Sequence, residues 1–385
     1  MERRVLLSSA VAGLAGVAGV TALGFTMPES SLGAMAAPGP SPYGDPGPPN
    51  ADGLCLPAGF TGRIVAHSGT PVAGYTWHGA PDGGACFANG SGWIYVSNSE
   101  LDDGAGGVGA LRFDAAGTIV GAGRILGDTN RNCAGGATPW NTWLSCEEVD
   151  RGYVYETDPT GRAAAVRRPA MGRFTHEAAA ADPDRKVIYL TEDNPAGCLY
   201  RFVPAVWGDL SKGRLEVLTE KAGANAWARV PDPDGKPERT RNQVRTAKRF
   251  NGGEGCYYRR NVCYFTTKGD NRVWAYHAAR NRLTVLYDDD GRKAAPLTGV
   301  DNITGTPGGD LYVAEDQGNM EICVITPDRV VAPFLRLLNQ DQSEITGPAF
   351  NPAGDRLYFS SQRAIDGTTE GGGITYEVRG PFRRR

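Results

Sequence analysis

The residues best suited to chemistry lie in one stretch, Asn132-Cys133-Ala-Gly-Gly-Ala-Thr-Pro-Trp140-Asn-Thr-Trp143-Leu-Ser-Cys146-Glu147-Glu148. It sets two thiols and two carboxylates around a glycine turn and a short aromatic strand. A thiolate is a soft metal ligand and a carboxylate a hard one, so the stretch offers donors for a transition metal beside an oxygen-loving cation. Taken alone it reads slightly better as two buried cysteines on a strand and two surface glutamates. The elements that position it have to decide.

Those elements announce themselves as a repeat. A turn, an apolar strand with an aromatic at a fixed place, a small residue two on, and then polar residues recur around Tyr95, Trp143, Tyr189, Tyr264, Tyr312 and Tyr358. The aromatics are spaced by 48, 46, 75, 48 and 46 residues, so one interval carries an insertion. A period in the forties built from short strands and Gly/Asp turns marks a propeller blade. The expectation is an all-β, six-bladed β-propeller over residues 55–385, with a loop insertion in the third to fourth blade region. That insertion, Ala205 to Lys248, is polar, rich in proline and basic toward its end, and reads as an excursion on one face.

A second phrase precedes the first and sets one ligand-type residue beside a small one: Asn132-Cys133-Ala, His176-Glu177-Ala, Gly253-Glu254-Gly255, Val300-Asp301-Asn302 and Glu344-Ile-Thr-Gly347, with Asp82-Gly83-Gly84 as a weaker counterpart. The first strand of a propeller blade lines the central channel, so residues at equivalent places converge on the axis. A ring of Cys133, Glu177, Glu254, Asp301 and Glu344 follows. Several acids in a narrow channel cannot all stay ionised unless cations compensate them, and a metal centre is the economical solution. The ends of the aromatic strands add Glu100, Glu147 and Glu148, Glu192 with Asp193, and Glu315 with Asp316; about half of these are expected to serve turns, where carboxylates bond nearby backbone. Cys146 stands where other repeats carry Asn98, Glu192, Thr267, Glu315 and Ser361, and is either a ligand or core.

The net charge of -3 gives no nucleic-acid footprint, and 53 glycines with 26 prolines suit a chain of many tight turns. Residues 1–36 read as an export signal: Arg3-Arg4, an Ala/Gly/Val-rich apolar run, and Ala34-Met35-Ala36 as a cleavage site. The paired arginines resemble a twin-arginine signal, and the mild hydrophobicity with a cleavage site argues against a permanent membrane anchor. Residues 37–54 carry too many prolines for a ladder and read as a flexible leader. Among eight cysteines, Cys256 and Cys263 could pair across a short hairpin. Four histidines and no serine nucleophile motif argue against a zinc hydrolase or a Ser-His-Asp triad; His176 is the one imidazole placed to orient a ligand.

The Cys133 to Glu148 stretch, with Gly172-Arg-Phe-x-His176-Glu177 and Glu344-x-x-Gly347-Pro348-x-Phe-x-Pro-x-Gly-Asp-x-Leu-Tyr-Phe, resembles the PhoX family of alkaline phosphatases over roughly residues 55 to 378. The resemblance implies a six-bladed propeller with a mixed iron and calcium cofactor in its channel. It also implies export by the twin-arginine machinery to a secreted or periplasmic location, and hydrolysis of phosphate monoesters by a metal-bound oxygen, with no catalytic side chain assigned. By motif match Cys133 is the iron-binding thiolate; Glu177, Glu254 and Glu344 flank or bridge the metals; and Glu147 or Glu148, Asp301 and Glu100 lie on the calcium side. A cation for the phosphoryl group comes from Lys268, Arg363, Arg173 or Lys248. The partner expected is a small phosphate ester, bound by a monomer. Two departures bear on activity: serine at Ser99 where the family usually shows histidine, and a bare Gly-Gly-Glu-Gly context around Glu254. The rival readings are a calcium-dependent lactonase on a similar scaffold, which needs no thiolate, and a non-catalytic secreted propeller that binds a partner through the insertion.

Overall fold

The recurring aromatic strand is the second strand of a radial sheet. A computed structural model describes residues 34–289, 295–316, 318–369 and 372–384, and among these the chain forms six radial sheets in sequence order, with a two-stranded ribbon of Pro71–Val72 and Tyr75–Thr76 beside them. Blade one is Pro81–Asn89, Gly92–Ser99, Gly106–Phe113 and Ile119–Thr129; blade two is Asn132–Ala137, Trp143–Glu147, Val154–Thr157 and Val166–Arg167. Blade three starts with His176–Asp182 and Val187–Glu192, blade four with Gly253–Arg259 and Val262–Thr267, blade five with Val300–Gly305 and Leu311–Glu315. Blade six, Ile345–Phe350, Arg356–Ser361 and Ile374–Arg379, takes its outer strand from the other end of the chain, Thr61–His67. That closure joins the sixth blade by backbone hydrogen bonds to the segment that leads into the first, so the ring is fastened by its own ladder.

Tyr95, Tyr189, Tyr312 and Tyr358 are completely buried and Trp143 nearly so. They pack between blades, as where Tyr95 stacks on Tyr358 with ring centroids 5.0 Å apart. The aromatic period is therefore the period of the blade junctions, which the large flat side chains fill.

Two expectations change. The insertion is not a loop excursion throughout: Asp209–Lys221 continues blade three as its fourth strand and Ala224–Arg229 adds a fifth. Leu210, Leu215, Val217 and Leu218 are fully buried within it, so an apolar face drew the segment into the sheet despite its polar average. The proline-rich leader is likewise fastened down. Ala37–Pro38 pairs with Val330 and Val331 of blade five, Leu54–Cys55 pairs with Leu337 and Arg336, and the Tyr43 ring meets Phe60 and Phe334 edge-on. Proline is compatible with that place because it lies at a sheet edge, where the missing N–H is not needed by the ladder. The export signal falls almost wholly outside the described residues. No helix among the described residues is long and apolar enough to cross a membrane.

Candidate metal centre

In the first five blades the opening strand pairs once with its neighbour and then bulges, two residues opposing one. A bulge re-aims the side chain at the break. The residue at each break is Asp82, Cys133, Glu177, Glu254 or Asp301, and these converge at one end of the channel. A small residue follows four of them, because the opening strands nearly touch: a Cβ on Gly83 would lie 2.5 Å from Ala134 Cα, and one on Gly255 2.5 Å from Ile303 N. Gly255→Ala is expected to destabilise by about 1–3 kcal/mol through backbone overpacking, seen as a lowered urea midpoint. Gly123→Ala, which meets nothing within 4 Å, should leave the midpoint in place.

The preceding blade holds the carbonyl of most of these residues. Asn98 Nδ2 donates to Cys133 O at 2.9 Å and to Ala134 O at 2.8 Å, Thr191 Oγ1 to Glu254 O at 2.5 Å, and Thr266 Oγ1 to Asp301 O. The donor side chains thus stand on a backbone fixed from both sides.

A second tier comes from the residue just after each aromatic strand: Glu100, Glu148, Asp193, Lys268, Asp316 and Gln362. Potential ligand atoms gather within 4.8 Å in overlapping groups, Asp82–Glu100–Cys133, Cys133–Glu148–Glu177, Glu177–Glu254–Asp301 and Asp301–Asp316–Glu344. Cys133, Glu177 and Asp301 each belong to two groups, so the donors form one continuous arc.

Glu344 reaches this arc by a different route from the one its motif suggested. In blade six the bulge comes one pair later, Thr346 holds the corresponding place with Oγ1 donating to Pro81 O at 2.8 Å, and Glu344 lies just ahead of the strand, bridged to Asp316. Glu147 is not in the arc. It accepts the backbone N–H groups of Asn130 at 3.1 Å and Tyr153 at 3.0 Å, and Glu192 and Glu315 make the same kind of bond to Cys198 and to Thr298 and Glu321. Successive strand residues face opposite ways, so the last residue of the strand closes its own turn and the next one faces the channel. Ser99 falls on the turn side, donating to Gly79 O at 2.9 Å, and the serine departure therefore does not touch the centre. Cys146 is fully buried in an apolar cluster. His176 places Nε2 3.0 Å from Gly172 O and its ring 3.7 Å from that of Phe174; burial lowers its pKa to about 4, and it is a core imidazole. The thiols of Cys256 and Cys263 lie 3.4 Å apart, both free.

Of the candidate cations, Lys268 and Arg363 stand at the arc, whereas Arg173 pairs with Asp234 and Lys248 with Glu220. Arg131 was not legible from the motifs. Its Nη2 reaches Glu100 at 2.6 Å and Glu148 at 2.8 Å. Gln362 Nε2 ties Asp82 to Glu100, 2.6 Å from each. For Gln362 the available signal was register: it follows once the residue after each aromatic strand is read as one class.

Burial, and then the neighbouring acids, push the carboxyls of Asp82, Glu177 and Glu344 well above the ordinary range. Burial does the same to Glu254, with Lys268 opposing it. Asp301 is pushed up to about 7 and Asp193 to about 6, in each case chiefly by burial. The Cys133 thiol is raised by burial and then by Asp82 and Glu177. Both carboxyl oxygens of Glu177 are buried without a hydrogen-bond partner, although Glu177 is wholly inaccessible. An unpartnered buried carboxyl costs free energy. A hard, multivalent cation satisfies such oxygens, and the thiol of Cys133 in the same donor group accommodates a softer one. The donor set therefore fits a mixed metal centre.

The insertion brings Arg239 and Arg241 to the rim, paired with Asp150 and Glu192, beside a cleft of about 350 Å³ that Thr175 and Asn194 also line. The opposite mouth of the channel, about 290 Å³, is lined largely by glycines and alanines such as Gly84, Gly135 and Ala180. It holds no carboxylate, so the chemistry belongs to the acidic end.

The family model described as alkaline phosphatase PhoX matches residues 97–151 and 149–285. No curated protein matches the chain. Among solved structures, Pseudomonas fluorescens PhoX in complex with vanadate, a transition state analogue, aligns with a TM-score of 0.68 and 15% identity, covering 91% of this chain and 98% of that one. A gluconolactonase from Xanthomonas campestris aligns with a TM-score of 0.51 and 14% identity, over 89% of this chain and 99% of the other. At these identities the structural likenesses carry the propeller fold.

Proposed function

We propose, from the match of residues 97–151 and 149–285 to the alkaline phosphatase PhoX family model, that this chain is a PhoX-type hydrolase on a propeller scaffold that cleaves phosphate monoesters at an iron and calcium centre in the acidic end of the channel. The observation that carries the reading is Glu177, buried with both oxygens unpartnered, in the same donor group as a buried thiol. Cys133, Glu148 and Glu177 would hold iron; Asp82, Glu100, Glu254, Asp301 and Glu344 supply the oxygen donors for calcium. When bound, such cations neutralise phosphoryl oxygens and lower the pKa of a nucleophilic oxygen.

The chain's own part is to fix the donors and orient the ester. Arg131 and Arg363 flank the arc from opposite sides, the latter with Nη2 2.6 Å from Glu344, and a guanidinium fork suits phosphate geometry. Asn98 and Thr191 hold the donor backbone so that little reorganisation accompanies reaction. The substrate enters over the rim cleft, where Arg239, half-exposed beside Asp150, is the guanidinium within reach of an anionic ester. Export follows from the paired arginines of residues 1–36, giving a secreted or periplasmic enzyme that acts as a monomer.

Elemental analysis of the purified mature protein should find iron as well as calcium, and added calcium should support cleavage of an aryl phosphate. Calcium without iron would remove this mechanism and favour the lactonase reading. Cys133→Ser is expected to lower iron content while Cys198→Ser, at a buried thiol contacted by Arg249 at 3.3 Å, does not; equal effects would refute the thiol assignment.

A further inference from the structure

Lys268 breaks the second tier. Four of the six residues that follow the aromatic strands are acids, one is an amide, and in blade four the place is taken by an ammonium group. Its position is not that of a surface charge. Nζ lies 3.3 Å from Glu254 Oε1 and 3.2 Å from Asp316 Oδ2, between the groups Glu177–Glu254–Asp301 and Asp301–Asp316–Glu344. Glu254 is 2% and Asp316 12% exposed as side chains; Glu254 would lose its cation if the ammonium swung away, while Asp316 would keep Arg363 Nη1 at 3.9 Å. Arg363 continues this compensation to Glu344. The other flank differs: Arg131 touches Glu100 and Glu148, and Glu177 has no partner.

Resting on the reading of the arc as a metal centre, we propose that Lys268 is a built-in counter-cation that takes the place of one divalent ion among Glu254, Asp301 and Asp316. An ammonium ion can sit where a cation would, because it offers N–H donors to the same carboxylate oxygens. Having done so, it repels a metal from the adjoining position. The donors of blades four to six thereby hold one calcium fewer than their carboxylates alone would take, and the stoichiometry of the centre is set by a side chain.

The test counts metal, not turnover. The full-length mature protein is stripped with chelator, reloaded with iron and excess calcium, dialysed to equilibrium, and analysed for metal per chain. Lys268→Gln is expected to bind one calcium more than the native protein, and Asp316→Asn, whose carboxylate is already compensated, the same number as the native protein. An unchanged or lower count in Lys268→Gln overturns the proposal. So does a lower count in Asp316→Asn, which also decides the matter if Lys268→Gln does not fold. Lys268→Gln with an unchanged count and weakened inhibition by inorganic phosphate would make the lysine a substrate ligand instead. Native protein that takes up neither metal overturns the metal reading itself and this proposal with it.

Discussion

Glu177→Gln is expected to reduce phosphatase turnover by about a hundred- to a thousand-fold, the scale seen when one charge-stabilising contact is removed from a transition state, and to lower the metal content of the purified protein. The size follows from position. Glu177 belongs to two donor groups, is completely buried, and has no protein partner to fall back on. The same substitution should act oppositely on the stripped protein. There the carboxyl faces Glu254, Glu148, Asp301 and Asp82, all of which disfavour its ionisation after burial has done so. An amide carries no charge to be repelled, so above neutral pH stripped Glu177→Gln should melt higher than stripped native protein. With metals restored the order should reverse. Native-like metal content and turnover in Glu177→Gln would remove Glu177 from the centre.

The second large effect is a dependence of the stripped protein's stability on pH. Acids with raised folded-state pKa values bind protons more tightly folded than unfolded, so stability falls as pH rises from the unfolded value to the folded one. Asp301 titrates from an ordinary carboxyl value near 3.8 to about 7, and Asp193 to about 6. Asp82, Glu177, Glu254 and Glu344 shift in the same direction, each first through burial. In chelator, then, the melting temperature should drop between about pH 4 and pH 7 and beyond, by about 5 °C or more if a few kcal/mol is lost. Calcium and iron should flatten the profile by binding the ionised forms. Differential scanning calorimetry with and without chelator checks this; a stripped protein whose stability rises over that range would show that the acids are compensated by the chain alone.

Much of the architecture was legible because a propeller repeats. The aromatic period gave the blade count, since every junction needs the same large side chain, and the motif before it brought out Cys133, Glu177, Glu254 and Asp301 as one class. What misled was averaging over composition: the prolines of residues 37–54 and the polar mean of the insertion concealed short apolar runs that pair with blades five and three. Glu147 and Glu148 are adjacent in sequence and chemically alike, and composition cannot separate them. The turn at the end of Trp143–Glu147 does, by spending Glu147 on two backbone N–H groups and leaving Glu148 to the channel.

Sequence by itself thus determined which residue types recur and at what interval, because burying one aromatic per junction imposes a period on the chain. Only the tertiary structure decided which acids converge. Bulge and register act over a single residue and reverse the direction of a side chain, and the sixth blade supplies Glu344 from outside the repeat. The three basic groups at the arc, Arg131, Lys268 and Arg363, find their acidic partners across blade boundaries or turns, where no local pattern records the meeting.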